Sequence, residues 1–375
     1  MIVKRTREIS ERLAYHSIKD RLNIKMNTYF TDVVNKGFRI DDCFALDSSA
    51  ESTKRILGCS KKEAIVFTML NAITDYNAQF IFSQEEFLKV MSETRIFHKN
   101  DFSENAYLKN IHLEEAECGN FQITHDFYWK YETFMYDIPR NDDGVMIPRI
   151  GMFDGRFKYP CIRENNVTWM SITPNEIFTM ETPIEEAFGN VLTLGCGMGY
   201  FAYMASEKEN VTEVTIIEKN PEVIDLFNKY ILPQFGHKEK ISVIQADAIE
   251  YIQALPDGKF DYCFADIWTG NMDWQPYIAL KMMCSKFNQM KITYWIEDAI
   301  GASMMDVIKH LILQASLKHI IKNPDDSIYD FDSMTLAFFK DLLKNVEITN
   351  KEQVDFYMDY KNIIDMIGNN ERKNK

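Results

Sequence analysis

The stretch Val191-Leu192-Thr193-Leu194-Gly195-Cys196-Gly197-Met198-Gly199-Tyr200-Phe201-Ala202-Tyr203-Met204-Ala205 decides how this chain of 375 residues is read. Its first four residues are apolar or β-branched and too few for a helix, so they predict a strand; the last six predict a helix. Between them stand three glycines at alternate positions. Glycine belongs in such a turn because the backbone needs positive φ and because a side chain would hold a ligand away from the helix N-terminus. In a chain that uses only 15 glycines, this spacing points to a ligand-binding turn more than to a bare connection.

The strands that follow repeat one feature. Val214-Thr215-Ile216-Ile217 ends at Glu218, about twenty residues past the glycines, where a doubly wound fold places an acid to accept hydrogen bonds from ribose hydroxyls. Ile241-Ser242-Val243-Ile244-Gln245 runs into Ala246-Asp247-Ala248, and Tyr262-Cys263-Phe264-Ala265 ends at Asp266. The predicted architecture is an α/β, doubly wound and mostly parallel sheet with one acid at each carboxyl end. Gly197, Gly199 and Ala202 also satisfy a loose dinucleotide fingerprint. Counted from the strand end, however, the first glycine is Gly195, and the third-glycine position falls on Tyr200, which would crowd a pyrophosphate.

On these residues, positions 191–297 resemble the class I S-adenosylmethionine-dependent methyltransferase superfamily, and within it the spermidine-synthase-like branch. The segment Val214-Thr215-Ile216-Ile217-Glu218-Lys219-Asn220-Pro221-Glu222-Val223-Ile224 carries the second likeness. The resemblance implies a Rossmann-like methyltransferase fold with S-adenosylmethionine as cofactor. It implies that Gly195, Cys196, Gly197 and Gly199 pack under the methionine and ribose, and that Glu218, followed by Lys219, holds the ribose diol. It further implies that Asp247 takes the adenine amino group with the backbone of Ala248 near the ring, and that Asp266 faces the reacting centre.

Two departures order the activities. Aminopropyltransferases of that branch usually carry a richer glycine turn with an internal acid and an acidic Asp-Ser segment after the fourth strand. This chain reads Gly195-Cys196-Gly197-Met198-Gly199 and Asp266-Ile267-Trp268-Thr269-Gly270 instead. Methyl transfer to a small-molecule or protein acceptor therefore comes first, aminopropyl transfer from decarboxylated cofactor second, and a non-catalytic cofactor-binding or scaffold role third. No Asn-Pro-Pro-Tyr segment follows the fourth strand, which counts against adenine bases and glutamine as acceptors. A sulfonium is already activated for displacement, so such an enzyme needs alignment and water exclusion more than covalent machinery. Asp266 is the candidate to orient or deprotonate the acceptor. Trp169, Tyr200 and Trp268 are candidates for aromatic walls.

Composition frames the rest. The chain is 46% hydrophobic with a formal charge of -14, which supports sizeable cores and disfavours nucleic acid as partner. No apolar run reaches membrane-spanning length and none of signal type follows residues 1–10, so a cytoplasmic protein is expected. Seven cysteines lie scattered at 43, 59, 118, 161, 196, 263 and 284 without a Cys-x-x-Cys pair, and the histidines show no ligand spacing; no metal site is expected. A homo-oligomer is left open.

The order of elements predicts four regions. Residues 1–140 read as a mainly helical accessory domain, with capping boxes at Ser60/Glu63 and Ser83/Glu86. Residues 141–183 read as a β-hairpin unit with turns at Asp154-Gly155 and Asn165-Asn166, followed by two short helices capped at Thr173/Glu176 and Thr182/Glu185. Residues 184–322 read as the cofactor domain, in which the usual closing antiparallel hairpin is hard to find. Residues 323–375 read as a helical extension, with Phe356, Tyr360, Ile363 and Ile367 on one stripe and Gly368 as a stop.

Plainer readings stand beside these. Glu218 suits the turn before Pro221, Asp247 suits an N-cap, Asp266 suits a solvated strand end, and Trp268 suits a core. Cys196 reads as a small residue rather than a nucleophile. Glu297 and Asp298, after the fifth strand, would either join Asp266 in an acidic patch or serve solvation, and solvation is the favoured reading.

Overall fold

The computed structural model describes residues 1–35, 40–73, 83–317 and 333–370. At its centre five parallel strands, Gly189–Leu194, Val211–Glu218, Ile241–Gln245, Tyr262–Ala265 and Lys291–Tyr294, lie in the spatial order third, second, first, fourth, fifth. Leu192, Leu194, Cys263 and Ala265 face one buried cluster; Val191, Val214, Ile216 and Phe264 face the other. Burial on both faces is why residues 191–194, 214–217 and Tyr262–Ala265 read as unbroken apolar runs, whereas the edge strand Ile241–Gln245 is largely exposed. Helices Pro174–Glu186 and Tyr200–Ser206 cover one face, and Ala248–Ala254, Trp274–Cys284 and Glu297–Leu317 the other. This is the doubly wound, Rossmann-like methyltransferase arrangement with helical additions.

Strand order reverses between the first and fourth strands, and such a switch point opens a crevice at the carboxyl ends. The backbone ties its rim together: Gly195 N–H donates to Ile217 O at 2.9 Å and Asp266 N–H to Leu194 O at 3.0 Å. No antiparallel strand closes this sheet among the described residues. The chain instead turns at Ile296, whose φ of 47° is left-handed, and enters Glu297–Leu317. A β-branched residue held there costs roughly 1–3 kcal/mol.

The β structure ahead of this sheet begins earlier than residue 141. Arg95–Phe97, Val145–Phe153 and Thr133–Asp142 form one sheet; Ala116–Cys118, Phe121–Tyr128, Phe157–Glu164 and Val167–Ser171 form a second. Register shifts within Thr133–Asp142 explain why it lacks a readable alternation. Asn165 and Asn166, at φ 49° and 67°, make the expected two-residue hairpin. Asp154-Gly155 does not close a hairpin; there the chain passes from the first sheet to the second.

Toward the N-terminus lie helices Arg7–Asn35, Ile40–Leu57, Lys61–Ile73 and Gln84–Glu93, the last two opened by the expected Ser60/Glu63 and Ser83/Glu86 boxes. The expected pair of helices at 173–186 is one helix, Pro174–Glu186, with Pro183 inside it. The chain ends meet: Ile2–Val3 pairs in parallel with Glu347–Ile348, and Asp355 accepts from Arg12 Nε and His16 Nε2. The C-terminal stripe belongs to two helices, Lys351–Tyr357 and Tyr360–Asn369, because the Asp359 carboxylate caps Lys361 N–H at 3.0 Å. Phe356 is exposed while Tyr360, Ile363 and Ile367 are buried, and Gly368 lies inside the last turn. Residues 323–332 and 371–375 of the expected extension lie outside the described residues. No helix among the described residues is long and apolar enough to cross a membrane.

Candidate functional site

A cavity of about 490 Å³ lies at the carboxyl ends of the sheet, within the range of small-molecule sites. Its floor is the glycine turn. Gly195, Gly197 and Gly199 have φ of 99°, 50° and 72°, all in the region that favours glycine. A Cβ at Gly195 would stand 2.2 Å from the carbonyl oxygen of Asp266, and one at Gly199 would stand 2.4 Å from the Phe227 ring. These two glycines let the turn close against the neighbouring strand and helix. Gly197 is the one that faces across the cavity, where a Cβ would meet the Met170 methyl group at 3.0 Å.

Glu218, buried at the end of the second strand, holds this floor in place. Its Oε2 accepts from Cys196 N–H at 3.1 Å and its Oε1 from Asn220 N–H at 2.8 Å. The turn role and the ligand role are therefore compatible, since a carboxylate offers about four lone-pair sites and two are used. Asp247 likewise does what its sequence position allows as a cap: Oδ1 accepts from Ile249 N–H at 2.9 Å and Glu250 N–H at 3.3 Å. Its side chain also lines the cavity, as do Ala248 and the exposed Lys219. Burial and the charge of Glu218 push the Cys196 thiol well above its ordinary value, so it is a neutral packing group.

Asp266 enters from the fourth strand, beside the Gly195 turn. Burial lifts its carboxyl to about 7. Facing it is Glu176 from helix Pro174–Glu186, pushed up to about 8, first by burial and then by Asp266. Each acid keeps an edge open to the cavity, yet the surrounding protein withholds enough water to favour the protonated form. Glu176 was expected to close a capping box on Thr173. It does not: the Thr173 side chain makes no cap hydrogen bond, and Glu176 points into the cleft. Glu297 is not part of the pair, since it bonds Lys281 Nζ and Tyr277 OH, each at 2.7 Å.

The three expected aromatic residues all line the cavity, in unequal ways. Trp169 is 39% exposed at the mouth, edge-on to Phe121. Tyr200 is buried, with its hydroxyl accepting from Asn105 Nδ2 at 2.9 Å. Trp268 is also buried, packed on Tyr277 and Tyr294, with Nε1 donating to Trp295 O at 3.2 Å. It serves the core with one side and the cavity with the other. Met170 and Trp295 complete the roof and carry no sequence signal; Trp295 is fixed by an Nε1–H bond to Thr179 Oγ1 at 2.9 Å.

A strap from residues 105–112 secures the floor from outside. Tyr107 OH donates to Met198 O within the glycine turn, Asn110 Nδ2 donates to Tyr203 OH at 2.8 Å, and His112 N–H donates to the Gln234 side chain at 2.8 Å.

No protein family and no curated protein matches this chain. Several solved structures do. A spermidine synthase from Thermotoga maritima matches at 13% identity over 43% of this chain and 60% of its own, with a TM-score of 0.31. An S-adenosylmethionine-dependent methyltransferase from Archaeoglobus fulgidus matches at 26% identity over 29% and 43%, with a TM-score of 0.22. A precorrin 8w decarboxylase from Methanobacterium thermoautotrophicum matches at 19% identity over 33% and 63%, with a TM-score of 0.24. The matched part thus spans about 60% of the spermidine synthase.

Proposed function

We propose that this chain is an S-adenosylmethionine-dependent methyltransferase acting on a small-molecule or protein acceptor. The observation that carries the reading is convergence: the glycine turn, Glu218, Asp247 and Asp266, from four separate strand ends, line one cavity of about 490 Å³. The donor and acceptor set fits the cofactor. Acids at Glu218 and Asp247 suit ribose hydroxyls and an adenine amino group, and Gly197 leaves room where a side chain would meet Met170.

When bound, the cofactor supplies a sulfonium whose methyl group is open to in-line attack. The chain does the rest. Glu218 and the glycine turn hold the nucleoside end, while Trp169, Met170 and Trp295 cover the cleft and limit water. The Glu176–Asp266 pair holds or takes the acceptor's proton. With values near 8 and 7, the pair gains base character as pH rises through neutrality.

The same acid pair favours a second reading, aminopropyl transfer from the decarboxylated cofactor, since two carboxyls beside the reacting centre suit an amine. Products separate the two: incubation with each cofactor form and a panel of amine, hydroxyl and thiol acceptors should release S-adenosylhomocysteine for methyl transfer. Release of methylthioadenosine would establish aminopropyl transfer instead. Binding without either product would leave a cofactor-binding scaffold.

A further inference from the structure

A second cavity of about 350 Å³ lies between the segment 99–113 and the sheet formed by Phe121–Tyr128 and Phe157–Glu164, sharing no residue with the first. Its chemistry is opposite to that of the cleft at the carboxyl ends of the sheet. Lys99, Lys158, His112, His125 and Ser103 line it, and no carboxylate does. In a chain with a formal charge of -14, two lysines and two histidines around one depression whose lining holds no carboxylate make a locally positive site. The nearest acid felt by His125 is Glu115, outside the lining and weaker in effect than Lys158.

The sheet register places His125, Pro160 and Lys158 on one face, while Phe157, opposite Tyr128, starts on the other and joins the lining at the first residue of its strand. Along one face of Phe121–Tyr128 the side chains are Phe121, Ile123, His125 and Phe127, opposite Glu164, Ile162, Pro160 and Lys158. Ile111 and Leu113 cover the apolar part with Phe121, Ile123 and Ile162. His125 interrupts this apolar row between Ile123 and Phe127. The depression left there has Phe102, Leu108 and Phe157 as walls and the two lysines, both exposed, at its rim. Among the described residues neither Lys99 nor Lys158 has an ion pair through its ammonium group.

We infer that this cavity is a binding site for a small organic anion, with an anionic head held by Lys99 and Lys158 and an apolar body against Phe102, Leu108 and Phe157. A phosphate or a carboxylate head meets the same need. The inference does not rest on the activity proposed above, although Leu108, Ile111 and His112 belong to the strap under the glycine turn.

Calorimetric titration of the full chain with phenyl phosphate, phenylacetate, inorganic phosphate and benzyl alcohol tests it. At least one phenyl-bearing anion should bind saturably, at least tenfold tighter than inorganic phosphate, with benzyl alcohol silent; which anion binds identifies the head group. The Lys99→Met/Lys158→Met double variant should lose at least tenfold in affinity, while Lys109→Met, which removes a lysine paired to Glu104, should lose none. In the unaltered protein the ring resonances of His112 and His125 should shift along the titration. Absence of saturable binding by both phenyl-bearing anions would overturn the proposal, as would binding that leaves the histidine resonances and the double variant's affinity unchanged.

Discussion

The floor and the roof of the cleft at the carboxyl ends of the sheet are built by different means. The floor is backbone: a glycine turn and three strand ends drawn together by parallel register, with Glu218 bonded to the turn across 22 residues of sequence. The roof is side chain: Met170 from a hairpin, Glu176 from a helix and Trp295 from the far edge of the sheet. A ligand that must be met by main chain fixes local sequence, so floor residues recur at readable spacings. A roof needs only to place chemistry above the reacting atoms, and many scaffolds can do so.

The largest expected effect probes how the floor closes. Gly195→Ala adds a Cβ 2.2 Å from the Asp266 carbonyl at φ 99°. Gly58→Ala sits at φ 65°, within the left-handed region open to L-residues at modest cost, and meets nothing within 4 Å. Urea denaturation should show a loss of about 3 kcal/mol or more for the first and about 1 kcal/mol for the second. Equal losses would mean that close backbone approach does not shape the floor.

Next is the acid pair in which the floor's Asp266 faces the roof's Glu176. Both carboxyls titrate above their unfolded values, so the folded state keeps protons that the unfolded chain releases from about pH 4 upward. The stability they contribute is therefore present at low pH and lost as pH rises through 7 and 8, the values of Asp266 and Glu176. Melting temperatures taken from pH 5 to 9 should fall less steeply for Glu176→Gln/Asp266→Asn, leaving the variant a few degrees more stable than the parent at pH 8.5. Parallel curves would remove the acid pair from the account. In an assay with an identified acceptor, Asp266→Asn should lower kcat/KM on the order of 100-fold or more.

A smaller effect concerns the strap. Tyr107→Phe leaves the Met198 carbonyl without its buried donor, which should cost about 1 kcal/mol in denaturation and weaken cofactor binding a few-fold. The smallest separates a true cap from its sequence likeness. Ser83→Ala breaks a formed capping box and should cost about 1 kcal/mol, whereas Thr173→Ala removes no cap hydrogen bond and should cost under about 0.5 kcal/mol.

That last pair shows where sequence reading stops. Thr173-Pro174-Asn175-Glu176 and Ser83-Gln84-Glu85-Glu86 carry the same signature, yet only the second forms the box. Glu176 is drawn to the cleft by a helix position that depends on packing against the sheet, which no local pattern records. The same holds for Met170 and Trp295. The glycine turn, Glu218, Asp247 and Asp266 were readable because each follows directly on an apolar run. The two sheets at 95–171 were half readable: Asn165-Asn166 marks its hairpin, while Thr133–Asp142 hides behind irregular register.

The most direct test of the division between floor and roof is calorimetric titration of S-adenosylmethionine against the parent chain, Glu218→Ala and Glu176→Gln. Saturable binding to the parent is expected, with a loss of roughly 10- to 100-fold for Glu218→Ala, as for charged hydrogen bonds, and near-parental affinity for Glu176→Gln. No binding to the parent, or equal losses in both variants, would contradict that division.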